Sequence, residues 1–225
     1  MSQEQQQIFP YLQRLLNGAP VEWKPLGEVA TMYGGLTGKN RDDFNTGDAL
    51  YIPYKNVFSN IEVDPTYLEP VTIGENEKQN EVRYGDVIFT GSSETPDEAG
   101  MSSAVTNHFD TKTYLNSFCF GVRFNEDIQL KPEFSKYLFR STHLRKQIIK
   151  TANGVTRFNV SKNLFRKIII PIPPMEVQER IVEILDKFTE LQAELQAELA
   201  LREKQYIYFR DQLLSFEMLN RGGIR

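Results

Sequence analysis

Ile168-Ile169-Ile170-Pro171-Ile172-Pro173-Pro174 runs directly into Met175-Glu176-Val177-Gln178-Glu179-Arg180-Ile181-Val182-Glu183-Ile184-Leu185, and this junction decides the architecture. Prolines remove backbone donors and fix φ, so the apolar run predicts the end of a strand and the start of a helix. Beyond Val177 the apolar positions Ile181, Ile184, Phe188, Leu191 and Leu195 alternate steps of three and four, the seam of a coiled coil. A tandem tetrapeptide follows, Gln192-Ala193-Glu194-Leu195 and then Gln196-Ala197-Glu198-Leu199. It adds a second step of four, from Leu195 to Leu199, which is a stutter that locally unwinds a supercoil. Arg202, Tyr206, Phe209 and Leu213 then resume the pattern. A helix from Val177 to near Phe216 has about 38 residues and a length of about 57 Å. A narrow apolar stripe on so long a rod exceeds what a small domain can cover, so the pattern predicts a second helix as its partner.

The remainder of the chain predicts an α+β fold in which a mixed, β-rich domain precedes that one long C-terminal helix. Residues 1–20 read as a helical segment, with Phe9, Leu12, Leu15 and Leu16 on one side and Asn17-Gly18 as its stop. Residues 21–174 form the β-rich domain, 175–216 the long helix and 217–225 a tail. Tyr51-Ile52-Pro53, Asp86-Val87-Ile88-Phe89-Thr90 and Ser117-Phe118-Cys119-Phe120-Gly121-Val122 are β-rich runs separated by Gly, Asn, Asp and Pro clusters. Tyr84-Gly85-Asp86 reads as a tight turn. Pro132 opens a helix whose face carries Phe134, Tyr137, Leu138, Ser141, Leu144 and Ile148, and Asn153-Gly154 reads as its cap.

With 40% apolar and 12% aromatic residues, the 225-residue chain can build a sizeable core. Cys119 is the single cysteine and His108 and His143 the only histidines, which leaves no disulfide framework and no structural zinc site. No apolar run approaches the ~20 residues of a membrane span, and Met1-Ser2-Gln3-Glu4-Gln5-Gln6-Gln7 is unlike a signal peptide, so a cytoplasmic location is expected. The net charge of −4 hides an asymmetry: residues 134–175 hold nine Lys/Arg and no acid, whereas 176–204 hold eight acids and four bases. The first stretch suits phosphate.

No motif assembles a catalytic site. Asp64-Pro65-Thr66-Tyr67 has part of an adenine-methyltransferase motif, but the second proline is missing and no glycine-rich turn accompanies it. Pro96-Asp97 followed by Asp110-Thr111-Lys112 has the loose form of a magnesium nuclease site. This makes a standalone nuclease with a dimerisation helix the alternative reading. Gly91-Ser92-Ser93 is not a nucleophile elbow. We therefore expect no catalytic residue, no metal and no cofactor. Binding signals are stronger. Gly34-Gly35-Leu36-Thr37-Gly38-Lys39-Asn40-Arg41, Tyr54-Lys55-Asn56, Thr90-Gly91-Ser92-Ser93 and Asn153-Gly154-Val155-Thr156-Arg157 are loops that combine small residues with bases. Lys and Arg suit phosphates and guanine, and Asn suits adenine. The candidate DNA contacts are Lys39, Arg41, Lys55, Ser92, Asn153, Thr156, Arg157 and Lys162, with Arg157 and Lys162 foremost because they lie in the acid-free stretch.

Trp23-Lys24-Pro25-Leu26-Gly27-Glu28-Val29, Asn153-Gly154-Val155-Thr156-Arg157-Phe158-Asn159-Val160, the proline junction with Gln178, Ile181 and Leu185, and Tyr208-Phe209-Arg210-Asp211-Gln212-Leu213-Leu214-Ser215-Phe216 together resemble a specificity subunit of a type I restriction-modification system. The Ala-Glu-Leu units resemble those of the type IC subfamily. The resemblance implies a non-catalytic subunit that grips double-stranded DNA through a target-recognition domain and recruits adenine-methylating subunits, which a motor-nuclease subunit joins. Such subunits carry two recognition domains joined by two antiparallel helices. This chain has one domain and one helix, so it resembles a half subunit that pairs with a second copy. The pairing residues would be Ile181, Ile184, Phe188, Leu191, Leu195, Leu199, Tyr206, Phe209 and Leu213. The acidic face of Glu190, Glu194 and Glu198 would then meet the methylating subunits.

Overall fold

The structure, a computed structural model, describes residues 10–216. The expectations for Phe9, for the side chain of Leu12 and for the tail 217–225 lie outside the described residues. The chain divides into two compact units, Met1–Val182 and Glu183–Arg225. The first unit begins with α1 (Pro10–Leu16), β1 (Glu22–Pro25), α2 (Leu26–Val29), β2 (Ala30–Gly34), β3 (Phe44–Ile52), α3 (Tyr54–Ser59) and β4 (Glu69–Val71). It continues with β5 (Val87–Thr90), β6 (Ser92–Ser93), β7 (Ser102–Ala104), β8 (Thr113–Leu115), β9 (Cys119–Phe124), α4 (Pro132–Leu138) and α5 (Thr142–Ile149). Its last elements are β10 (Ala152–Asn153), β11 (Phe158–Val160), α6 (Lys162–Phe165), β12 (Ile169–Ile172) and the first residues of α7 (Met175–Leu214), the rest of which belongs to the second unit.

An antiparallel sheet in the order β2-β9-β5-β7 forms the centre. All four residues of β5 are buried, so its side chains feed two cores on opposite faces. Val87 and Phe89 join Phe120 and Val122 of β9 against α4, α5 and α6, where Phe134, Phe139, Leu144, Ile148 and Phe165 pack. Phe89 sits in the middle of that core, stacked on Phe120 at 5.5 Å and edge-on to Phe139 and Phe165 at 5.2 and 4.9 Å. Such aromatic pairs contribute beyond their burial. Ile88 turns to the other face, against Ile52, Val57, Val105 and Leu115. There β3 pairs antiparallel with β4 and parallel with β8. Covering both faces explains why β5 reads as an unbroken apolar run rather than an alternating one. The turn into β5 is the expected one: Asp86 N donates to Arg83 O at 3.1 Å, and Gly85 takes φ +87°.

Two local readings need correction. The single helix expected from Pro132 is two, because Ser141 caps α5 by accepting from Leu144 N and so restarts the helix after Leu138. Asn153-Gly154 is not its cap: α5 ends at Ile149, and Ala152–Asn153 turn back as β10. The stop at Asn17-Gly18 is seen, with φ +44° and +79° after α1.

At the proline junction, β12 pairs antiparallel with β1, with Trp23 opposite Pro171, and α7 starts at Met175. Gln178, fully buried, fastens the first turn of α7 to its domain. It donates to Gln129 O and Pro173 O at 2.8 Å and accepts from Lys131 N at 2.9 Å. Gln178→Leu removes the partner of three backbone groups, Pro173 O buried and Gln129 O and Lys131 N partly buried, at a cost of about 1 kcal/mol each. We expect a loss of about 3 kcal/mol in urea unfolding of the domain; an unchanged midpoint would remove Gln178 from this role. Ile181 and Val182 also pack on the domain core. Ile181, expected on the pairing seam, is thus partly covered within the first unit. In the second unit, Phe188, Leu191, Leu195, Leu199, Tyr206, Phe209 and Leu213 of α7 are all more than half exposed in the single chain.

Candidate nucleic-acid interface

Four of the eight candidate contacts converge on one small sheet in the order β10-β11-β6. Asn153 pairs with Asn159, and Asn159 pairs with Ser92 on the far side. The connection between β10 and β11 folds very tightly. Gly154 has φ +149°, and a Cβ there would lie 1.9 Å from Arg157 O. Only glycine fits, which fixes the loop that presents Thr156 and Arg157. The Arg157 guanidinium lies 5.3 Å from the ring centre of Phe118, an exposed aromatic on the turn before β9. Stacking of this kind holds a cation in place without neutralising it.

Ser92, Thr156 and Arg157 line an open concavity of about 700 Å³ together with Tyr54, Phe58, Ser93, Glu94, Glu98 and Phe118. Its floor is rigid. Tyr54 Oη donates to Ser92 O at 2.9 Å and its ring stacks on Phe58. Burial, first of all, raises the Tyr54 pKa. A second concavity of about 390 Å³ shares Ser92 and Phe118 with the first and adds Lys162 and the glycines of the Gly34-Gly35 loop. Lys162 sits 5.7 Å from the Phe120 ring centre. Cys119 lines it too, but burial pushes its thiol up to about 12, so it stays protonated.

The other candidates are placed apart. Lys39 is ion-paired with Glu77 and its side chain is 7% exposed. The same pairing, with help from Gln79 and Gly74 N, holds the Glu77 carboxyl down at about 2. Arg41 is exposed on a 3-10 turn, and Lys55 is exposed on α3. The acid-free stretch divides between two tasks. Arg140 donates to Ser102 O, Val57 O, Phe58 O and Asn60 O, and Arg145 donates to Asp97 O, Ala99 O and Gly100 O. Burial lowers both guanidinium pKa values, that of Arg140 to about 10. Lys136 is buried beside Glu62. Lys146, Lys150, Arg157, Lys162, Arg166 and Lys167 stay exposed.

The motifs weighed for catalysis resolve as structure. Asp64 Oδ1 accepts from Thr66 N and Oγ1 at 2.8 and 2.6 Å, a turn that pulls the carboxyl below its usual pKa. Asp97 lies in the 3-10 turn Pro96–Glu98, and Asp110 in the loop between β7 and β8. Among the described residues no group of three or more His, Cys, Asp or Glu is arranged to hold a metal ion, and no helix is long and apolar enough to cross a membrane. Sequence reasoning missed Phe58, Phe118 and Glu98 as lining residues and named Tyr54 only within a loop. Phe118, an aromatic between turn residues and a strand, is the one whose exposure was foreseeable.

The family model for the type I restriction modification DNA specificity domain matches residues 20–201. The specificity subunit of the type I restriction enzyme EcoR124I/EcoR124II of Escherichia coli is 34% identical over 215 residues, covering 92% of this chain and 48% of that protein. The EcoprrI specificity subunit of Escherichia coli is 29% identical over 225 residues, covering 92% of this chain and 53% of that protein. Among solved structures, the HsdS subunit from Thermoanaerobacter tengcongensis matches with a TM-score of 0.56 at 19% identity, over 84% of this chain and 44% of that one. The type I system S subunit from M. genitalium matches with a TM-score of 0.51 at 14% identity, over 89% and 47%. The chain spans about half the length of the curated relatives it matches. With a mixed β-rich domain, one long C-terminal helix and a match over residues 20–201, the chain belongs to the type I restriction-modification DNA specificity family.

Proposed function

We propose that this chain is a DNA-reading subunit of a type I restriction-modification complex, without catalysis of its own. It binds one half of a two-part site on double-stranded DNA, docks adenine-methylating subunits and pairs with a second copy along α7. The observation that carries this reading is the concavity around Arg157. A guanidinium stacked on an exposed aromatic, beside small hydroxyl side chains and a hydrogen-bonded floor, suits a base edge or phosphate. Ser92, Asn153, Thr156, Arg157 and Lys162 form the reading surface, and the exposed Arg41 on its 3-10 turn and Lys55 on α3 add phosphate contacts. Lys39 drops out because Glu77 already occupies it. The exposed stripe on α7 supports pairing, and the two-fold symmetry of such a pair calls for a palindromic two-part site.

Arg157→Ala tests this at physiological salt. We expect binding of target DNA to weaken by about 10- to 100-fold, the range of one good base contact. Unchanged affinity and unchanged sequence preference would remove Arg157 from the surface.

A further inference from the structure

Two carboxylates, those of Glu94 and Glu98, share the concavity with Arg157. A carboxylate facing duplex DNA is repelled by the phosphates, so only a base edge bearing an amino donor gives it a partner. In the major groove cytosine offers the N4 amino group alone, whereas adenine places the N7 acceptor beside its amino group. Cytosine is therefore the matched base for a carboxylate.

The two acids are held differently. Thr95 Oγ1 donates to Glu98 Oε2 at 2.8 Å, and among the described residues Glu98 Oε1 remains open. The 3-10 turn that carries Glu98 starts at Pro96, and Ser93 Oγ donates to Thr95 O at 2.6 Å just before it. Arg145 grips the backbone on both sides of Glu98, through Asp97 O at 2.8 Å, Ala99 O at 2.7 Å and Gly100 O at 2.6 Å. Glu98 is thus presented from a clamped turn with one oxygen oriented, the preorganisation that sequence readout needs. Glu94 is exposed and takes part in none of these contacts. Both Glu98 and Arg157 act on the Tyr54 hydroxyl, the first raising and the second lowering its pKa, which puts the two charges near one point of the cleft.

We propose that Glu98 is a specificity-determining residue that accepts a hydrogen bond from N4 of a cytosine, beside a guanine held by Arg157. This rests on the reading of the concavity as the DNA-reading surface. The test maps methylated motifs in cells that carry the full chain with its methylating subunits. The wild-type motif is expected to contain a required C·G pair. Glu98→Gln keeps the size of the side chain and an acceptor for Thr95, and an amide pairs with adenine N6 and N7. It should cut the preference for cytosine at that pair by about 10- to 100-fold in favour of adenine, while the other positions stand. Glu94→Gln should leave the motif as it was. A motif without a C·G pair, an undiminished cytosine preference in Glu98→Gln with an unchanged unfolding midpoint, or a relaxation by Glu94→Gln instead would overturn the assignment. Should the wild-type chain direct methylation to no defined sequence, the DNA-reading function itself falls, an outcome distinct from these three.

Discussion

Asp86→Ala is expected to destabilise the first unit by about 2–4 kcal/mol, the cost of removing the buried partner of a half-buried ion pair and the acceptor of two further donors. Asp86 has 1% of its side chain exposed. Its two oxygens accept from Tyr33 Oη at 2.6 Å, Arg83 N at 2.8 Å and Arg123 Nε and Nη2 at 2.8 and 2.6 Å. The three donating residues come from β2, the turn before β5, and β9, so this one carboxylate ties the central sheet across three neighbouring strands. Arg123 also lies 5.0 Å from the Tyr33 ring centre. Without Asp86 the guanidinium keeps its desolvation but loses its counter-charge, and the Tyr33 hydroxyl loses its acceptor. Burial first, and Asp86 after it, raise the Tyr33 phenol well above its usual range, so the donor is present at neutral pH. Thermal unfolding should show a fall in Tm on the order of 10 °C. Asp86→Asn preserves the shape and should fall between the two. A shift of less than about 2 °C in Asp86→Ala would mean that solvent reaches the site.

Deletion of Gln196-Ala197-Glu198-Leu199 is expected to keep pairing intact and to change the DNA spacer. The seam runs Ile181, Ile184, Phe188, Leu191, Leu195, Leu199, Arg202, Tyr206, Phe209, Leu213, with consecutive steps of four on either side of Leu195. Removing four residues there brings Leu195 into a step of three with the residue now at the Arg202 position, so threes and fours alternate without a break. The stutter disappears, and an uninterrupted heptad pattern favours the supercoil. Four residues shorten a helix by about 6 Å and turn it by about 40° past a full revolution. One base pair turns DNA by about 34–36°. Methylated sites should therefore lose about one base pair between their halves, with bending absorbing the mismatch in rise. Leu195→Asp is the contrast: a charge on the shared seam of a symmetric pair meets its own copy, and dissociation should strengthen by about 100-fold or more in analytical ultracentrifugation. Either an unchanged spacer after the deletion, or a Leu195→Asp chain that pairs as before, would sink this account of α7.

The long helix was legible because its signals are local. Pro173-Pro174 marks the start, and a seam of threes and fours runs through contiguous residues. Arg157 and Ser92 were legible as a type of loop, but their meeting was not. β6 and β10 are two residues each, too short for any periodicity, and they share a sheet only because each pairs with β11 between them. The acid-free stretch misled for a related reason. Charge counting treats Arg140 and Arg145 as free cations, whereas they are the buried partners of carbonyls about 40 to 80 residues away in sequence. The split between α4 and α5 was hidden because Ser141 fits the helical face by spacing while its hydroxyl competes for the backbone. The pairing of Lys39 with Glu77 crosses 38 positions that no local pattern links.

The pairing of β1 with β12 brings Glu22 opposite Ile172. The polypeptide enters and leaves the β-rich domain at neighbouring points on one edge. A domain with adjacent ends behaves as a cassette: it can be duplicated in tandem, exchanged for another, or relocated in a gene without threading a linker across its core. That geometry lets the β-rich domain be replaced by recombination at its flanks while the sequence of the long helix is left untouched.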